Sequence, residues 1–128
     1  MNEKRMYPRY SCRMKVRFHF FEGDPDVVNI NDAASTKGKG TVLDISRGGM
    51  FIATNDRVSV NIPISLRFRS RREVFSVNGT IIRTGLLANN PSGTARKFGL
   101  LRAKKDFFIA VRFSQLLENF DESEFLKP

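Results

Sequence analysis

The chain has 128 residues, which fits one ordinary domain with a sizeable core, and its only cysteine, Cys12, has no internal disulfide partner. With His19 as the single histidine, a Cys/His metal cluster cannot be assembled from one chain. The 22 Lys and Arg outnumber the 13 Asp and Glu, and the formal charge of +9 favours anionic partners without choosing among nucleotides, nucleic acid and acidic headgroups.

The opening MNEKRMYPRY has no apolar stretch of signal-peptide type, and no apolar run approaches the roughly 18 residues of a membrane helix. A cytoplasmic protein without membrane insertion is expected. Residues 1–11 have little to bury and read as a flexible arm, leaving residues 12–128 as one domain. Within the arm, Arg5 and Arg9 stand four apart, and Pro8 pushes Tyr7 toward extended backbone.

Cys12, Met14, Val16, Phe18 and Phe20 alternate with Arg13, Lys15, Arg17 and His19, the pattern of a half-buried strand. The polar stretch from Glu22 to Gly40, rich in Asp, Asn, Ser and Gly, reads as a long loop. Thr41 to Ile45 and Met50 to Ala53 form a hairpin around Ser46-Arg47-Gly48-Gly49, where paired glycines permit positive φ. Val58 to Phe68 gives the longest period-two signal, and Pro63 within it implies a bulge or a local edge. Glu73 to Thr84 and Phe107 to Phe113 read as the last two strands, joined by a basic loop over 86–106 that is long for a hairpin connection. Ser114 is placed to cap a terminal helix with Leu116, Leu117 and Phe120 as its apolar stripe. Six strands without a long central helix suggest a barrel.

Two short motifs carry recognisable chemistry. Arginine can grip a phosphate through two parallel hydrogen bonds, read the O6/N7 edge of guanine, or stack on a purine, and extended geometry would put Arg5 and Arg9 on one side. In Asp44-Ile45-Ser46-Arg47-Gly48-Gly49, a carboxylate at a strand end can accept the adjacent N1 and N2 hydrogens of guanine. Ser46 lies two residues on, facing the same side, and Gly49 lets backbone amides approach a ligand. Each motif alone also suits an incidental pair of charges or an ordinary hairpin turn.

Together, RxxxR before the first strand and DxSxxG in the hairpin resemble the signature of the PilZ family. Asn78 to Arg83 looks like that family's penultimate strand and Ala110 to Phe113 like its closing strand, so the resemblance runs from Arg5 to Phe113. It implies an all-β fold, a six-stranded antiparallel split β-barrel with a short C-terminal helix. It also implies a receptor for the bacterial second messenger cyclic di-GMP, with no catalytic residues, metal or further cofactor. The residues matching the ligand signature are Arg5, Arg9, Asp44, Ser46 and Gly49, with Lys4, Arg47 and Gly48 as supporting candidates. Ordering of the arm would couple the ligand to a protein target of unknown identity. Ala110 departs from the glycine common in the closing strand, and the loops at 22–40 and 86–106 look longer than usual.

Two other readings compete. A small basic barrel can bind single-stranded nucleic acid, but most of the 12 Phe fall on apolar strand phases, which argues against a stacking ladder. A protein-interaction adaptor would keep the fold and use the basic 86–106 loop as its docking surface.

Overall fold

The computed structural model describes residues 7–21, 35–87 and 106–118. These form six strands: β1 (Tyr10–Phe21), β2 (Ser35–Ser46), β3 (Gly49–Thr54), β4 (Pro63–Arg69), β5 (Val74–Leu86) and β6 (Phe107–Phe113). All pairings are antiparallel, and the strands close into a barrel in the order β1-β2-β3-β6-β5-β4. Closure removes the sheet edges that would otherwise expose unpaired backbone.

The core follows from alternation. Val16, Phe18 and Phe20 of β1, Ile64, Leu66 and Phe68 of β4, and Ile109, Val111 and Phe113 of β6 all point inward and are buried. Each such side chain contributes about 1.5–3 kcal/mol relative to full exposure, so the barrel interior is the main source of stability. The single cysteine belongs here: Cys12 is 4% exposed, and its thiol lies 3.9 Å from the Val42 carbonyl. Desolvation, then repulsion from the Asp44 carboxylate, pushes that thiol's pKa up to about 12. A second apolar cluster, Leu43, Phe51, Ala53, Leu87 and Phe108, packs apart from this interior. In it Phe51 stacks on Phe108 with centroids 4.9 Å apart, and the Arg83 guanidinium sits over the Phe108 ring.

Several boundaries differ from the sequence reading. β1 begins at Tyr10, two residues before the alternation expected from Cys12. β2 begins at Ser35, inside the stretch expected to be loop. Its polar, glycine-rich sequence hid the strand because the space opposite is already full: a Cβ on Gly38 would collide with the Phe18 ring. Thr54 and Asp56 hold this segment in place. The Thr54 hydroxyl donates to the Lys39 carbonyl at 2.8 Å, and Asp56 Oδ2 accepts from the Lys39 amide at 3.2 Å.

The long alternation from Val58 is strand only from Pro63. Asn61 adopts a φ of 64°, a left-handed conformation that extended chain cannot pass through, and Val60 is 46% exposed. Pro63 takes the first position of β4, where a missing N–H is tolerated. β5 runs on through Leu86, so the first residue of the expected 86–106 loop is strand, and Leu87 is fully buried. The Leu87 amide donates to the Asp106 carbonyl at 2.9 Å, and residues 88–105 lie outside the described residues. Among the described residues no helix follows β6, and the rest of the expected C-terminal helix lies outside them. No helix among the described residues is long and apolar enough to cross a membrane.

Candidate functional site

The hairpin between β2 and β3 reverses through Arg47-Gly48, with Ser46 paired to Gly49. The Ser46 hydroxyl accepts the Gly48 amide at 3.2 Å, a local bond that stabilises the reversal. The Gly48 carbonyl accepts the Phe113 amide at 2.8 Å, and the Arg47 carbonyl accepts the Leu117 amide at 2.9 Å, which tie the turn to the end of β6. Neither Gly48 nor Gly49 takes a left-handed φ, contrary to the sequence expectation. What requires glycine at 49 is close approach, since a Cβ there would run into the Val111 carbonyl. At Gly48 the same atom would make ordinary contacts with Tyr7 and Leu116 at 3.5 Å.

Asp44 owes its position to a bulge. Val42 pairs with Ile52 and Asp44 with Phe51, so Leu43 is an extra residue on β2. An extra residue shifts the phase of a strand by one, re-aiming the side chains that follow. Val42 and Ile45 therefore both face the core, and Asp44 and Ser46 both face out. A second bulge, at Ile82, interrupts the β5–β6 ladder between Ile81 and Arg83. It leaves Ile81 in the core and Ile82 44% exposed.

These outward groups form two cross-strand rows. Asp44, Phe51 and Ala110 are register partners in one, and Ser46, Gly49 and Arg112 in the other. Together with Tyr7 and Arg9 before β1 and Leu116 after β6, they surround a cavity of about 440 Å³. The structure thus brings Arg9, Asp44, Ser46, Gly48 and Gly49 to one place. Arg47 is exposed at the turn and does not line the cavity; Lys4 and Arg5 lie outside the described residues.

Sequence reasoning missed Tyr7, Phe51, Ile82, Ala110, Arg112 and Leu116 as lining residues. Arg112 had a legible signal, a cation on the polar phase of a confident strand. Ile82 had none, because the bulge that exposes it depends on pairing with β6. The chemistry of the cavity is mixed: a carboxylate, a hydroxyl and two guanidinium groups stand beside the apolar surfaces of Ile82, Phe51 and Leu116. Such a lining suits a ligand with both anionic groups and flat heteroaromatic faces.

The family profile described as PilZ domain matches residues 3–100, most of the chain. The chain belongs to the PilZ domain family. Solved structures agree on the fold. The inhibitor of motility MotI/DgrA of Bacillus subtilis superposes with a TM-score of 0.59 at 14% identity, covering 97% of this chain and 49% of that one. This PilZ domain therefore spans about half the length of the Bacillus protein. The PilZ domain with c-di-GMP of YcgR from Escherichia coli gives a TM-score of 0.56 at 12% identity, covering 95% of this chain and 86% of that one. No curated protein sequence matches the chain.

Proposed function

We propose that this PilZ domain is a receptor for cyclic di-GMP that acts without catalysis. The observation that supports it most is convergence: Arg9, Asp44, Ser46 and Gly49 come from two distant stretches of sequence and line one cavity. In this reading Asp44 accepts the N1 and N2 hydrogens of one guanine. Arg9, joined by Arg5, grips the phosphates through bidentate hydrogen bonds or stacks on a base. The Ser46 hydroxyl already accepts the Gly48 amide, and its proton, shared with the Gly49 carbonyl across an Oγ to O distance of 3.5 Å, can turn to a ligand oxygen. Lys4, Arg47 and Gly48 are supporting candidates.

Coupling to a protein target follows from the arm. A ligand held by Arg5 and Arg9 fixes residues 1–9 over the cavity and changes the surface that a partner meets. Calorimetry with purified cyclic di-GMP tests the reading. Saturable binding with GTP competing poorly is expected, because GTP lacks the compact cyclic pair of phosphates and bases. A flat titration at high protein concentration overturns it.

A further inference from the structure

The cavity occupies the outer wall formed by the end of β2, β3, β6 and β5. Across the ring, the wall formed by the start of β2, β1 and β4 carries a different array. Its outward positions are Lys37 and Lys39 on β2, Lys15, Arg17 and His19 on β1, and Arg67 and Arg69 on β4, all exposed. The register sets Arg17 directly between Lys39 and Arg67, and His19 between Lys37 and Ser65. Like charges directly opposite destabilise a sheet, so internal packing gives no reason for such a row. Long basic side chains from all three strands line a groove of about 610 Å³. Asp56 borders it, with Oδ2 accepting from the Lys39 amide, and Glu73 lies in the turn after β4.

We propose that this wall is a second anion-binding surface, separate from the cavity, that holds the phosphate backbone of single-stranded nucleic acid without reading its bases. Outward cations recur every second residue, about 6.6 Å along a strand. Consecutive phosphates of an extended polynucleotide repeat at a similar interval, so a single strand lying along β1 meets Lys15 and Arg17 at neighbouring phosphates, with Lys37, Lys39, Arg67 and Arg69 on the strands to either side. A positively charged groove is the form in which proteins track such a backbone. Apart from the His19 imidazole, no aromatic ring is exposed at the described outward positions of this wall, so a ladder of stacking rings is missing and sequence tolerance follows. A bilayer would meet Val74, 50% exposed, as the one large exposed apolar side chain of the groove among the described residues, too little for insertion. An acidic peptide offers charge but no obligatory charge at every unit.

The test is fluorescence anisotropy of a labelled mixed-sequence strand of about 12 nucleotides with the intact chain, at several salt concentrations. Saturable binding is expected, insensitive to base composition, with log K falling against log salt at a slope of about −2 to −4. Arg17→Gln/Lys39→Gln/Arg67→Gln should lose at least tenfold and melt no earlier than the parent, since the like-charge row is relieved. Arg17→Gln alone should shallow the salt slope by about 0.7, one phosphate contact. Arg17→Lys/Arg67→Lys should keep most of the affinity. Asp44→Ala should bind the oligonucleotide unchanged, so loss of cyclic di-GMP binding and loss of this surface are read separately. Equal affinity in parent and triple variant overturns the proposal. So does tighter binding of poly-glutamate or of phosphatidylglycerol vesicles at the same ionic strength.

Discussion

Asp44 sits where a single side chain decides between a shaped wall and a functional one. On the proposed reading, its replacement by Ala removes an acceptor for two guanine donors while leaving the strand pairing with Ser11 and Phe51 to the backbone. Binding of cyclic di-GMP should weaken by about 1.5–3 kcal/mol, roughly ten- to a hundredfold, with an unchanged melting temperature. Calorimetry of the variant checks this. Gly48 and Gly49 are neighbours with opposite expectations. Gly49→Ala forces a methyl against the Val111 carbonyl and should destabilise by about 1–3 kcal/mol, whereas Gly48→Ala meets only ordinary contacts and should fold as well as the parent. Urea unfolding of the two variants separates close approach from a generic need for glycine in turns.

Cys12 gives a pH prediction. Its thiol pKa is raised from 9.0 to about 12 by burial and by Asp44. Below pH 9 both folded and unfolded chains hold the proton and the stabilisation is complete. As pH rises from 9 toward 12 the unfolded chain releases it first, so folding stability falls through that window. Thermal melts from pH 8 to 11 should show a decline that is shallower in Cys12→Ala. A thiol reagent at neutral pH should leave the folded parent unlabelled.

At the level of elements, bulges rather than loops build the site. Were β2 regular across Leu43, with all its residues kept, one phase would run from Val42 through Asp44 to Ser46, and the carboxylate would point into the core. Deleting Leu43 joins Val42 to Asp44 on a regular ladder with Asp44 still outward, so its cost should fall on the Leu43, Phe51 and Phe108 cluster and appear as lost stability in urea unfolding. The end of β1 that faces the cavity is the other element with a function to test. Replacing Arg5 and Arg9 by Ala should abolish cyclic di-GMP binding. Changing both to Lys should fail in large part, because charge survives and bidentate geometry does not. Backbone relaxation of residues 1–9 with and without ligand tests the coupling: no change at saturation removes the arm from the mechanism.

For the whole molecule, charge is distributed unevenly around a closed ring. The formal charge of +9 includes the row Lys39, Arg17, Arg67, in which repulsion acts at close quarters across paired strands. Salt screens such exposed charges over about 10 Å at 0.1 M, so stability should rise between 20 and 300 mM salt. A melting temperature that falls or stays flat over that range would mean the row is neutralised within the fold.

Alternation alone determined the inward faces of β1 and β6, because the side-chain period of a strand is fixed by its geometry and Phe18, Phe20, Ile109 and Val111 obey it. Spacing brought Asp44 and Ser46 onto one side, and the resemblance of RxxxR and DxSxxG to the PilZ signature, both local patterns, joined them to the arginines before β1. Tertiary structure decided the rest. β2 extends back to Ser35 because Phe18 from another strand fills the space above Gly38, which no local propensity records. The alternation from Val58 fails as strand until Pro63 because Asn61 turns with positive φ, its amide bound to the Ile81 carbonyl at 2.7 Å. Ile82 reaches the cavity only through the pairing of β5 with β6, and Arg112 through the pairing of β6 with β3. The basic wall is likewise invisible along the chain, where its cations lie in three separate strands, and becomes one surface when antiparallel register sets them side by side.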